Sequence, residues 1–171
     1  MPKYETQAHR DEERETLRLF VAGYAQSKHA AGRTFELIHK RKVECSDYDG
    51  TDATIAEVTE SGLAPLAAVE TKRRDNTMRH YPDYKVDIQK IDGLMGRAER
   101  EELVALYVVH WNDRIGYVRV TREKMAFWGT GELKRREMRD KYDKDPCYII
   151  PLHEFTDAIV FDAPHRPRWA K

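Results

Sequence analysis

The sequence predicts an α/β fold: one domain, with a small mixed β-sheet flanked by helices. Three observations point there. An amphipathic helical segment opens the chain, a series of short alternating or apolar runs follows, and a second helical segment interrupts that series before the most apolar run. At 171 residues the chain has enough material for one core. Neither a repeat nor a linker argues for a second, so residues 1–171 are expected to form a single domain with short flexible termini.

Each element has a local reason. Within 11–31, Leu17, Phe20, Val21, Tyr24 and Ala25 recur at helical spacing, acidic residues crowd the first turn, and Gly32 supplies a stop. Residues 1–10 are expected to be a tail. In 34–45, Phe35, Leu37, His39, Arg41, Val43 and Cys45 share one parity, which predicts a strand whose later half is solvated. The Asp- and Gly-rich stretch 46–52 reads as a turn, and 52–58 as the next strand. After a break at Glu60, Ser61 and Gly62, a largely apolar strand over 66–72 completes a hairpin and ends in charge.

A polar connection leads to a predicted helix over 84–98, its face marked by Tyr84, Ile88, Ile91, Met95 and Ala98, with Pro82 at its entrance. Residues 103–111 form the strongest buried-strand candidate. Asn112, Asp113 and Arg114 reverse the chain into 115–121, so these two strands should pair antiparallel. The almost wholly charged stretch 132–145 reads as a solvated helix or loop laced by ion pairs. A short core strand over 147–150 is stopped by Pro151, followed by a brief helix within 152–157 and an edge strand over 159–161.

Composition narrows the function. Thirty basic and thirty acidic residues cancel, so no global field draws in a polyanion, although a local basic patch remains open. Cys45 and Cys147 match no metal-ligand spacing. No apolar run approaches the eighteen or so residues a membrane helix needs, and the N-terminus is too polar for a secretory leader, so a cytoplasmic, non-membrane protein is expected. The seven histidines build no zinc motif, no Walker-type loop is present, and no serine has a nucleophile-elbow context. Trp128, in a segment resembling a loop over a cleft, is a candidate for stacking on a base.

The chemically informative residues close the 66–72 strand. Side chains two apart on a strand share a face, so Glu70 and Lys72 project together from one rigid element. A charged pair at the end of a buried strand needs a partner, because an unpaired charge is costly to desolvate. An acidic turn and strand lie upstream, with Asp52 at the strand's start. A lysine-bearing helix and an apolar hairpin lie downstream.

That order of features resembles the PD-(D/E)XK nuclease superfamily, which includes restriction endonucleases, phage exonucleases and Holliday-junction resolvases. Glu70, Thr71 and Lys72 match its Glu-x-Lys triplet, and Asp52 its acidic residue, while Thr51 stands where the motif has proline. Asp49 and Asp47 are rival acidic ligands. Positions on the first helix and on the helix after the triplet strand correspond to Glu13 and Lys90.

The resemblance implies a restriction-endonuclease-like sheet and Mg²⁺-dependent hydrolysis of DNA, with Mn²⁺ a substitute. Asp52, Glu70 and the Thr71 backbone carbonyl would be the metal ligands, with Glu13 a further candidate; hard cations prefer such oxygen donors. Lys72 would orient the attacking water and offset developing charge, with proton removal by Lys72 left open. Arg73, Arg74 and Arg79, beside His80, and Lys90 would contact phosphates without reading bases. By their own charge, Lys134, Arg135, Arg136, Arg139, Lys141 and Lys144 either extend that track or form an intramolecular ion-pair network with the acidic residues among them. Endonuclease, exonuclease and junction-resolving modes stay open, as does a homodimer. The alternative is a noncatalytic nucleic-acid-binding or assembly protein that retains the fold.

Overall fold

The computed structural model describes residues 7–27, 33–39, 51–134 and 144–163. Its elements run α1 (Gln7–Ser27), β1 (Thr34–His39), β2 (Ala53–Thr59), β3 (Gly62–Arg73), β4 (Asp83–Asp87), α2 (Ile88–Arg100), β5 (Val104–His110), β6 (Arg114–Val120), α3 (Arg122–Phe127), β7 (Gly129–Lys134), β8 (Lys144–Pro151) and β9 (Thr156–Val160). Six strands form one mixed sheet in the order β1-β2-β3-β5-β6-β9. All its pairings are antiparallel except β3 with β5, which is parallel and requires the crossover through α2. The predicted α/β architecture, a mixed sheet flanked by helices, is the one observed.

Opposite faces of β3 serve two cores. Val69, Leu106, Val108 and Ile115 pack with Leu17 and Phe20 of α1. Ala68, Tyr107, Val109 and Val118 pack with Ile91, Leu94 and Met95 of α2 and with Tyr84, Val86 and Ile150. The first core is also an aromatic junction, in which the Tyr24 ring meets Phe20, Phe35 and Tyr117 at centroid distances of 5.6, 5.9 and 5.6 Å. α1 approaches β9 so closely at Gly23 that an added Cβ would lie 2.5 Å from the Ala158 carbonyl oxygen. Gly23→Ala should therefore destabilise the protein by about 1–3 kcal/mol despite alanine's better helix propensity. Equilibrium urea denaturation checks the sign; a stabilised variant would contradict this packing.

Several expectations are corrected. α1 begins at Gln7, within the expected tail. β3 begins at Gly62, earlier than expected, because the hairpin accommodates Pro65 at a register shift beside Ile55 and Ala56. Pro65 lies there before the stretch from Ala67 that β5 covers, so its missing N–H breaks no ladder on that side. The predicted 84–98 helix is two elements. Tyr84 and Val86 are buried while Lys85 is exposed, a period of two that makes β4, and Asp87 then caps α2 by accepting from the Gln89 N–H at 2.8 Å.

β4 belongs to a second, unpredicted sheet of order β4-β8-β7. β7 and β8 occupy both ends of the charged stretch, where Lys144 pairs with Glu132 at 2.7 Å. The brief helix shrinks to the single 3-10 turn Leu152–Glu154, and the edge strand begins at Thr156. Gly32, Cys45, Asp47, Asp49, Arg135, Arg136, Arg139 and Lys141 lie outside the described residues. No described helix is long and apolar enough to cross a membrane.

Candidate metal and phosphate site

β3 is held by β2 on one edge and β5 on the other, and the site forms where β2 gives out. The Asp52 N–H donates to the Val69 carbonyl at 2.8 Å, the last rung of that ladder. Beyond it, the Asp52 carboxylate folds across the strand end. One of its oxygens, Oδ2, accepts from the Thr71 N–H at 2.7 Å and the Thr71 hydroxyl at 2.9 Å. Successive peptide groups of a strand point to opposite edges, so the Thr71 carbonyl faces this same edge, past the start of β2.

Glu70 sits beside this edge, opposite Tyr107 in the parallel register and only 1% exposed. Its parity turns it toward the α2 layer, as Ala68 is turned, and there Lys90 of α2 donates to its Oε1. Burial, and then the negative charge of Asp52, raise the Glu70 carboxyl pKa from 4.5 to about 8, against the opposing pull of Lys90 and Lys72. Lys72, on the same face of β3 and open to solvent, has an ammonium pKa lowered by partial desolvation, then by Arg74 and Lys90, with Glu70 and Asp52 opposing.

A buried Glu70 carboxyl whose ionisation is opposed by the neighbouring Asp52 marks a site short of positive charge. A divalent cation would supply that charge, and a carboxylate pair beside a peptide carbonyl is a hard oxygen set suited to Mg²⁺. The residues present therefore fit the ion. Among the described residues, no group of three His, Cys, Asp or Glu side chains is placed to hold a metal. Glu13 is half-buried on α1, the helix packed on the other face of β3.

The basic residues after the triplet divide between faces. Arg73 donates to the His110 carbonyl at 2.8 Å and to Asn112 Oδ1 at 2.7 Å, tying β3 to the β5–β6 turn. Arg74 lies on the Glu70 side, its guanidinium 5.1 Å from the Tyr84 ring centroid and its Nε donating to Tyr84 Oη at 3.2 Å. Arg79 and His80 are exposed on the 3-10 turn Met78–His80. Trp128 is buried, its ring edge-on to Tyr148 at 5.9 Å, so it packs the second core and is not presented to a base.

Sequence reasoning missed two residues near the centre. Arg97 is buried on α2 and donates to the Thr51 hydroxyl and, at 2.6 Å, to the Thr54 hydroxyl, so it clamps the residues flanking Asp52. Its signal was available: a lone arginine on the apolar stripe of Ile91, Leu94, Met95 and Ala98. Tyr107 is wholly buried beside Glu70, and its Oη lies 3.3 Å from Tyr84 Oη. Within an apolar strand it reads only as packing.

Residues 1–158 match a family described as "Phage putative PDDEXK endonuclease". Among solved structures, a nuclease from a fusselovirus matches at a TM-score of 0.50 and 14% identity, over 90% of this chain and 88% of its own. The Holliday junction resolvase Hjc of Archaeoglobus fulgidus matches at a TM-score of 0.41 and 14% identity, over 77% of this chain and 85% of its own. No curated protein matches. With the family match spanning nearly the whole chain and the triplet at the end of its central strand, the protein belongs to that family and, with it, to the PD-(D/E)XK nuclease superfamily.

Proposed function

We propose that the protein is a divalent-metal-dependent deoxyribonuclease of the endonuclease or junction-resolving type, with Asp52, Glu70 and the Thr71 carbonyl as metal ligands. The observation that carries this reading is the Glu70 carboxylate: buried, electrostatically opposed by Asp52, and set at a strand end beside Lys72. When bound, Mg²⁺ or Mn²⁺ would polarise a phosphoryl oxygen and make a water more acidic.

The protein's own groups do the positioning. Asp52 is fixed by its bonds to Thr71, so its carboxylate needs little ordering when a cation arrives. Lys72, fixed at its backbone by β5, orients the attacking water and stabilises charge that develops on the phosphate. Its lowered pKa also moves it toward a role in accepting a proton. Arg79 and Lys90 supply backbone-phosphate contacts that carry no base sequence, while Arg73 anchors the strand.

Asp52→Asn should fold, as judged by circular dichroism, and lose cleavage by about 10²-fold or more, since a neutral amide replaces a charged ligand. A folded, fully active Asp52→Asn would remove Asp52 from the centre. The experiment that tests the function itself is incubation with labelled linear, circular, single-stranded and branched DNA in Mg²⁺, Mn²⁺ or chelator. Cleavage confined to the metal-containing reactions, with DNA binding kept in chelator, is expected. Binding without cleavage at any metal concentration would instead mark a noncatalytic nucleic-acid-binding protein.

A further inference from the structure

Arg74 is a cation whose direction is set by the fold. Tyr84 holds its guanidinium twice, through the ring face at 5.1 Å and through the phenol oxygen at 3.2 Å from Nε. Tyr84 is in turn fixed by burial, by Tyr107 Oη at 3.3 Å, and by the rings of Trp111 and Phe155 at 5.7 and 5.6 Å. Burial alone would lower the Arg74 pKa, but the phenols of Tyr84 and Tyr107, together with Asp75, outweigh it and keep the charge secure. The hydrogen-bonded relay from Tyr107, beside Glu70, through Tyr84 holds the half-buried guanidinium in one direction, on the face of the strand that carries Glu70 and Lys72.

We propose that Arg74 binds the phosphate next to the scissile one on the same nucleic-acid strand, and that Tyr84 and Tyr107 are the residues that position it. This deepens the nuclease reading and rests on it. The Arg74 N–H donates to the His110 carbonyl at 2.9 Å, so the β3 ladder continues through Arg74 and keeps it on the face of Glu70 and Lys72. Side chains two apart on one strand face are spaced by about 6.6 Å. That spacing resembles the separation of successive phosphates along one strand, so when Lys72 serves the scissile phosphate, Arg74 meets its neighbour. A guanidinium stacked on a ring keeps its remaining in-plane donors for bidentate phosphate contact, which an ammonium cannot reproduce. The second sheet thereby acquires a role, since its strand β4 carries Tyr84 and aims the cation.

The test uses a DNA whose cut position has been mapped with the parental protein. The phosphates on either side of the cut are replaced one at a time by an uncharged methylphosphonate. With the parental protein, one of the two replacements should lower kcat/KM about tenfold or more, the loss expected for a charge-assisted contact. Arg74→Gln, which keeps much of the stem's packing, should show a comparable loss on unmodified DNA and no further loss from that same replacement. The other replacement should affect parental protein and variant alike. Tyr84→Leu, which removes both ring and phenol, should show part of the same non-additivity, a pattern that general destabilisation does not produce. If both replacements cost Arg74→Gln as much as they cost the parental protein, Arg74 does not bind a neighbouring phosphate. Failure of the parental protein to cut any DNA would overturn the nuclease reading, and this inference with it.

Discussion

Replacing Glu70 by Gln should abolish cleavage, by about 10²-fold or more, while making the metal-free protein more stable at pH 8. The two halves have one cause. Glu70 is buried next to Asp52, so its carboxyl pKa in the folded protein, about 8, lies above the ordinary value of 4.5. The folded protein thus holds that proton more tightly than the unfolded chain does. The resulting stability is complete below about pH 4.5 and is lost as pH rises through about 8. A glutamine keeps the shape, has no proton to lose, and removes the penalty. Urea denaturation in chelator across this range should show the parental protein losing stability toward pH 8 relative to Glu70→Gln. Parallel profiles would mean that Glu70 bears no such electrostatic load.

Lys72→Ala should lower kcat by about 10²–10³-fold with little change in KM, because its proposed contribution is made in the transition state. Metal affinity should be kept or improved, since Lys72 adds positive charge to the neighbourhood a cation must enter. Single-turnover cleavage and calorimetric titration with Mn²⁺ separate the two effects. Loss of metal affinity with normal turnover would reverse this division of labour.

How much of this is written in the sequence depends on the range of the interactions involved. The Glu70 and Lys72 face followed from strand parity, a local rule, and the β2–β3 and β5–β6 hairpins followed from turn chemistry between apolar runs. Tyr84 and Ile88 fit a helical spacing when counted alone. Only pairing with β8, distant in the chain, decides that Tyr84 to Asp87 are extended. The small sheet went unseen for the same reason: 147–150 was legible as a strand, but polar β7 carries little periodicity of its own and nothing local pairs β8 with β4 and β7.

At the site, the triplet and Asp52 were readable as residue types at strand ends. The Glu70–Lys90 ion pair, the Thr71 anchor of Asp52 and the Arg97 clamp were not, since each joins elements well separated in sequence. Arg73 and Arg74 looked equivalent in a basic run. Strand alternation sends them to opposite faces, one into a structural brace and the other onto Tyr84.

The most direct test is one time course: a single labelled DNA incubated with the parental protein or Glu70→Gln, each in Mg²⁺ and in chelator. Products should form only with the parental protein in Mg²⁺. Cleavage by Glu70→Gln at the parental rate, or by the parental protein in chelator, would contradict a metal-dependent centre built on Glu70.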